Sequence, residues 1–196
     1  MRRGWLLLLV IWITACSQSQ HTRHATDITQ IMPDLTFSLE DDDGKPVTAD
    51  SYRGKIRLLF FGYTHCPDVC PLTLGKLSAV LHGMTPEQRN RLAVLFVSVD
   101  PARDTAAVRK RYCAAFGPEF RGLSGSLEQI RKLTRRYRAT FGYGEKDANG
   151  QYEVSHSSAI YVFDSQGHAR LLVRGDASVK EIGEDLRQLL VVDSNG

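Results

Sequence analysis

Cysteine is scarce in this chain: four in 196 residues, at positions 16, 66, 70 and 113. Strong charge of either sign is also missing. The formal net charge is +3, and no basic run is interleaved with aromatics, so nothing marks the chain as a nucleic-acid binder. Long apolar runs are lacking too. The stretch Gly4–Ala15 has twelve residues, short of a comfortable membrane span. Internal repeats and low-complexity tracts are absent. At 196 residues the chain suits one domain with a real core and is too short for two comfortable ones.

What is present begins with a targeting pattern. Arg2 and Arg3 precede the apolar Gly4–Ala15 stretch, as in a signal peptide. The stretch ends in Ile13-Thr14-Ala15-Cys16, which resembles the bacterial lipobox. That resemblance implies cleavage before Cys16 and acylation of its sulfur and new amino group, and two or more acyl chains anchor stably. The expectation is therefore a signal peptide over 1–15, a lipidated flexible tether over 16–32 and a folded domain over 33–196. It places the protein in a bacterial cell envelope, lipid-anchored to a membrane and facing the periplasm.

With Cys16 assigned to lipid, three cysteines remain in an oxidising compartment. Cys66 and Cys70 enclose only three residues, in "FFGYTHCPDVCP". A disulfide there would remove little loop entropy from the unfolded chain, so it would be a poor staple. The pair points instead to chemistry. Cys113, in "VRKRYCAAF", reads as a buried thiol acting as a small hydrophobe.

The pattern from residue 33 onward is α/β. "DLTFSLE" alternates like a strand, and "DDDGKPV" signals a hairpin turn. Lys55–Tyr63 and "RLAVLFVSVD" are continuous apolar strands of the buried parallel type. The helix after the cysteine stretch shows Leu74, Leu77, Val80 and Leu81 on one face. "DTAAVRKRYCAAF" reads as a helix capped by Asp104, and Ser126 caps the next, "SLEQIRKLTRRYRATF". "SSAIYVFD" and "ARLLVRG" form a hairpin before a closing amphipathic helix. This order predicts a thioredoxin-like fold, a central mixed sheet flanked by helices, with an N-terminal hairpin. Functional groups in open α/β sheets gather at the C-terminal ends of strands, where Cys66 and Asp100 both fall.

Cys66 lies in a strand-to-helix loop and Cys70 in the first helical turn, so both sulfurs can reach one spot. Two thiolates on one tetrahedral metal sit about 3.8 Å apart, within reach of such a junction. The helix N-terminus also favours thiolate, which serves metal binding and redox work equally. Two cysteines leave a metal under-coordinated. Of six histidines, His21 and His24 fall in the expected tether, His82 ends a helix and His168 sits in a turn. His65 adjoins Cys66 and is expected to point away. His156, in "YEVSHSSAIYVF", stands before a core strand, in the loop expected to face the cysteines. Thioredoxins carry a cis-proline there; here Ser155-His156 stands with no proline near.

"GYTHCPDVCP", "VSVDPARDT" and "VSHSSAIYVFD" together resemble the three signature blocks of the Sco/SenC family of copper-binding assembly proteins. The likeness covers most of the chain after residue 32. It implies that Cys66, Cys70 and His156 bind copper, as Cu(I) and also Cu(II), and that Cys66 and Cys70 form a disulfide in the oxidised apo form. It also implies delivery of copper to the binuclear centre of cytochrome c oxidase, or reduction of that centre's thiols. The implied partners are the oxidase's copper-centre subunit and a copper donor chaperone. Asp100 would lie near the site and adjust the metal or the partner contact. The donor set agrees: two soft thiolates and an imidazole suit Cu(I), whereas structural zinc prefers a fourth ligand.

Other readings use the same sulfurs. A thiol–disulfide oxidoreductase would act on the partner's cysteines; a peroxidase would use Cys66 as its reacting thiol. A copper or redox sensor is a further class. The missing cis-proline and the presence of His156 favour copper. Asp68 is expected to act as a charge at the helix N-terminus, and Tyr63 and Pro71 to shape the loop. Arg131, Lys132, Arg135, Arg136 and Arg138 read as a solvated helix face, or as a surface for an acidic partner or anionic lipid.

Overall fold

A computed structural model describes residues 23–194. The expected signal peptide and Cys16 lie outside them. Two seven-residue strands, β4 (Ile56–Gly62) and β5 (Leu92–Ser98), are buried along their whole length, as their unbroken apolar character demands. They pair in parallel, and β5 pairs in parallel with β6 (Phe120–Leu123). On the other side β9 (Ile160–Phe163) runs antiparallel to β4, β10 (Ala169–Val173) antiparallel to β9, and β1 (Thr26–Asp27) antiparallel to β10. The sheet order is thus β1-β10-β9-β4-β5-β6. This is a thioredoxin-like mixed sheet.

Five helices accompany it among the described residues: α1 (Val69–His82), α2 (Pro86–Asn90), α3 (Ala106–Ala114), α4 (Leu127–Arg136) and α5 (Val179–Asp193). α1 packs against α5, and α3 against β6. The expected hairpin is present as β2 (Ser38–Glu40) with β3 (Pro46–Thr48). A second small ribbon joins β7 (Phe141–Tyr143) to β8 (Val154–His156). No helix among the described residues is long and apolar enough to cross a membrane.

Three expectations need correction. The domain begins upstream of residue 33, because Thr26–Asp27 joins the sheet and the amides of His24 and Ala25 donate to the buried Asp185 carboxylate at 3.0 and 2.7 Å. A strand two residues long, hydrogen-bonded at a sheet edge, has no periodicity to read. Asp104 does not cap α3; Thr105 does, accepting from the Val108 amide. His156 ends a strand instead of lying in a loop. Ser126 caps α4 as expected, in a reciprocal pair with Gln129.

Candidate metal centre

The site forms where β4 ends. Gly62 closes the strand, and the turn Tyr63–Asp68 leads into α1. Cys66 is half-buried in that turn, and Cys70 is fully buried in the first turn of α1. The Cys70 amide, one of the helix's unpaired N-terminal donors, points at the Cys66 sulfur at 3.4 Å. Asp68 occupies the N-cap position, but its side chain makes no capping bond. The turn is tied down by Asp104, which is fully buried and accepts from the Thr64 amide (2.8 Å), the Thr64 hydroxyl (2.6 Å) and the Ser98 hydroxyl (2.6 Å). Asp104 thus fixes the backbone two residues before Cys66.

His156 arrives from the β7–β8 ribbon. Its Nε2 lies 3.2 Å from the Cys70 sulfur, and its Nδ1 lies 3.1 Å from the Ser157 carbonyl. A carbonyl only accepts, so Nδ1 carries the proton and Nε2 keeps its lone pair toward the sulfurs. The ring is set edge-on to Phe60 (centroids 5.9 Å) and Tyr63 (5.8 Å). Burial lowers the imidazole pKa from its ordinary 6.5, which keeps the ring neutral at neutral pH. Burial also pushes the Cys70 thiol well above its usual range, so in the absence of metal this sulfur is protonated.

One ligand atom each from Cys66, Cys70 and His156 lies within 4.8 Å of the other two. The two sulfurs and Nε2 converge as a soft, three-point donor set of the type that suits Cu(I). All three cysteines among the described residues are free thiols. Cys113 stands apart, 1% exposed in the core, with burial pushing its thiol up to about 12.

Asp100 is not in the donor group. It is fully buried at the end of β5, where it accepts from the Tyr152 hydroxyl at 2.8 Å and pairs with Arg103. The Arg103 guanidinium carbon sits over the Tyr152 ring, 3.7 Å from its centroid, and 5.7 Å from the Tyr63 centroid, and the group donates to the Tyr152 carbonyl at 2.9 Å. Asp100 therefore reaches His156 through Arg103 and Tyr63, and it latches the ribbon that carries His156. His65 points from the ligands toward Asp104 and Thr64. Arg103 and Tyr152 were given no role from sequence, and Asp104 only that of a helix cap. Their roles depend on contacts to residues some 40 to 50 positions away, which no local pattern encodes.

Residues 26–191 match the family described as SCO1/SenC. The chain is 39% identical over 153 residues to the mitochondrial SCO2 homolog of Mus musculus, covering 78% of this chain and 60% of the mouse protein. It therefore spans less than two thirds of that relative's length. The copper-bound structure of ScoI from Bradyrhizobium japonicum is similar with a TM-score of 0.71 and 38% identity, over 80% of this chain and 98% of that one. The solution structure of apo Sco1 from Thermus thermophilus is similar with a TM-score of 0.78 and 36% identity, over 87% and 99%.

Proposed function

The chain belongs to the SCO1/SenC family, and from that premise we propose that it is a copper metallochaperone for the binuclear copper centre of cytochrome c oxidase. Cys66, Cys70 and His156 are the proposed copper ligands. The observation that carries this reading is the placement of His156: its Nδ1 lies 3.1 Å from the Ser157 carbonyl, which can only accept, and its Nε2 lies 3.2 Å from the Cys70 sulfur. A redox dithiol has no use for a third, pre-oriented metal donor.

Copper is cargo here. Cu(I) uptake displaces the thiol protons, and three ligands leave room for an incoming ligand to attack before the metal departs. Cys66 is the accessible sulfur and Cys70 the buried one, so partner ligands would replace Cys66 first. The emptied pair can then close to a Cys66–Cys70 disulfide, giving two electrons and two protons to a partner disulfide. Cu(II) is a second state that the same ligands would hold. The proposed copper source is a donor chaperone, and the recipient is the oxidase's copper-centre subunit. Cys16, acylated, would anchor the domain at a bacterial membrane facing the periplasm. Asp100 would act on His156 through Arg103.

The alternative is a thiol–disulfide oxidoreductase that reduces the recipient's copper-ligand cysteines. The Cys70 amide aimed at the half-buried Cys66 sulfur favours that role as well. The two separate when the copper-loaded chain meets a reduced recipient domain under anaerobic conditions. A chaperone passes stoichiometric copper and leaves the recipient's thiols unchanged. If the loaded chain keeps its copper there, while the copper-free reduced chain turns an oxidised recipient's disulfide into two thiols and itself closes a Cys66–Cys70 disulfide, the chaperone reading is wrong and the reductase is right.

A further inference from the structure

In the two-stranded β7–β8 ribbon, the edge of β7 that faces away from β8 pairs with no other strand among the described residues. The Thr140 carbonyl accepts from the Ser157 amide at 3.0 Å, and the Gly144 amide donates to the Glu153 carbonyl at 2.8 Å. Antiparallel strands alternate, so with Gly142 opposite Ser155 the amides and carbonyls of Phe141 and Tyr143 face away from β8. No other strand among the described residues pairs with that edge. Between β7 and α4 runs a groove of about 480 Å³. Arg131 and Arg135, one helical turn apart, form its far wall, and Thr140, Phe141 and Tyr143 its near wall; no acidic residue lines it. Both arginines are exposed, and neither has an ion-pair partner among the described residues. The Tyr143 hydroxyl donates to the Val99 carbonyl, and its ring packs against Phe141, so the strand presents a fixed edge.

An unpaired strand edge facing two unpaired guanidinium groups across a groove has a specific complement. We infer that this groove takes an extended acidic segment of a partner protein, which adds to β7 as a third strand. Main-chain bonds would run to Phe141 and Tyr143, and carboxylates on one side of the segment would meet Arg131 and Arg135. Phe141 lies directly opposite His156 in the ribbon, so a segment docked there sits one strand from the proposed copper ligand. That last step rests on the copper-exchange reading; the docking itself does not. The groove is concave and edged by a strand, which suits a peptide better than a bilayer surface.

The test uses the full chain, copper-free and reduced, in phosphatidylcholine nanodiscs. The probe is a blocked hexapeptide of alternating Glu and Val; its Lys–Val counterpart is the control. Residue-resolved hydrogen exchange reads the amides of Phe141 and Tyr143. Saturable protection of both by the acidic peptide is expected, weakened by salt and by about tenfold in the double variant R131E/R135E. The inference is overturned if those amides stay unprotected, if the Lys–Val peptide protects them equally, or if phosphatidylglycerol nanodiscs protect them with no peptide present. Copper binding is measured on the same samples. An unprotected edge with copper binding intact removes the docking inference alone. Peptide protection in a chain that binds no copper removes the copper reading and leaves the docking site standing.

Discussion

A methyl group at Gly62 would come within 2.6 Å of the Cys70 sulfur and 2.8 Å of the Phe96 ring. Both neighbours are fully buried, so neither can move aside freely. Gly62→Ala is therefore expected to cost about 1–3 kcal/mol of stability by overpacking and to weaken copper binding, because the displaced atom is a proposed copper ligand. Urea unfolding of the apo protein and a Cu(I) competition assay read the two effects. Full stability together with full affinity would contradict the packing described here. At this scale the sequence was most legible for the three converging donors. Cys66 and Cys70 announce themselves by spacing, and His156 by its place before a core strand. Gly62, Asp104 and Arg103 fall inside the quoted blocks, but their roles were not legible, because each acts by fitting against groups distant in sequence. Asp104 was even given a cap role that Thr105 fills, since a carboxylate next to a threonine at a helix start looks the same in either use.

At the scale of elements, the ribbon β7–β8 lies outside the main sheet and is held by Val154 and Phe141 packed on the core and by a few polar contacts. Arg103 joins Asp100, the Tyr152 carbonyl and the Tyr152 ring. Arg103→Ala should loosen the ribbon: faster hydrogen exchange at Ser155 and Ser157, and lower copper affinity with unchanged stoichiometry. Arg103→Lys should rescue only partly, because a single ammonium cannot reach the Asp100 carboxylate and the Tyr152 carbonyl from separate nitrogens while covering the Tyr152 ring. Exchange at β8 unaffected by either change would argue against the latch. Strand β1 makes a second case. Asp27 is held below its ordinary 3.8 by the Thr29 hydroxyl, then by the Thr29 amide. A depressed carboxyl supports the fold above its unfolded pKa and stops doing so as pH falls through its folded value. The β1–β10 pairing should therefore weaken below about pH 4, and Asp27→Asn should flatten that acid-side loss. The Thr29 amide shift in an NMR titration reports it, with a midpoint below 3.8 expected. β4, β5, α1 and α5 were readable in the sequence from length and apolar pattern. β1, β6 and the ribbon were not, because at two to four residues their existence is decided by the partner strand, not by local preference.

For the whole molecule, the three proposed ligands come from two separate parts of the fold, the β4–α1 turn and the β8 strand. A metal that binds all three crosslinks them in the native state only, so binding must stabilise folding. At free Cu(I) one hundred times the dissociation constant the gain is about 2.7 kcal/mol. The melting temperature of the reduced protein should rise with Cu(I), and the rise should shrink in His156→Ala. Cys113→Ser should keep it, since Cys113 is sealed in the core away from the site. The global class, one α/β domain with its chemistry at strand ends, followed from the sequence because strand and helix periods are strong over these lengths. The way the chain enters the domain at residues 24–27 did not, because two amides bound to Asp185 leave no trace in residue type.

The most direct test of the copper reading is an anaerobic titration of the reduced protein with Cu(I) against a competing chelator. Wild type runs beside Cys66→Ser, Cys70→Ser, His156→Ala and Cys113→Ser. The expected result is one tightly held copper, weakened at least about tenfold, or roughly 1.4 kcal/mol, by each of the first three changes and unaffected by the fourth. Binding that is weak in the wild type, or indifferent to His156, would contradict the account and leave Cys66 and Cys70 as a redox pair.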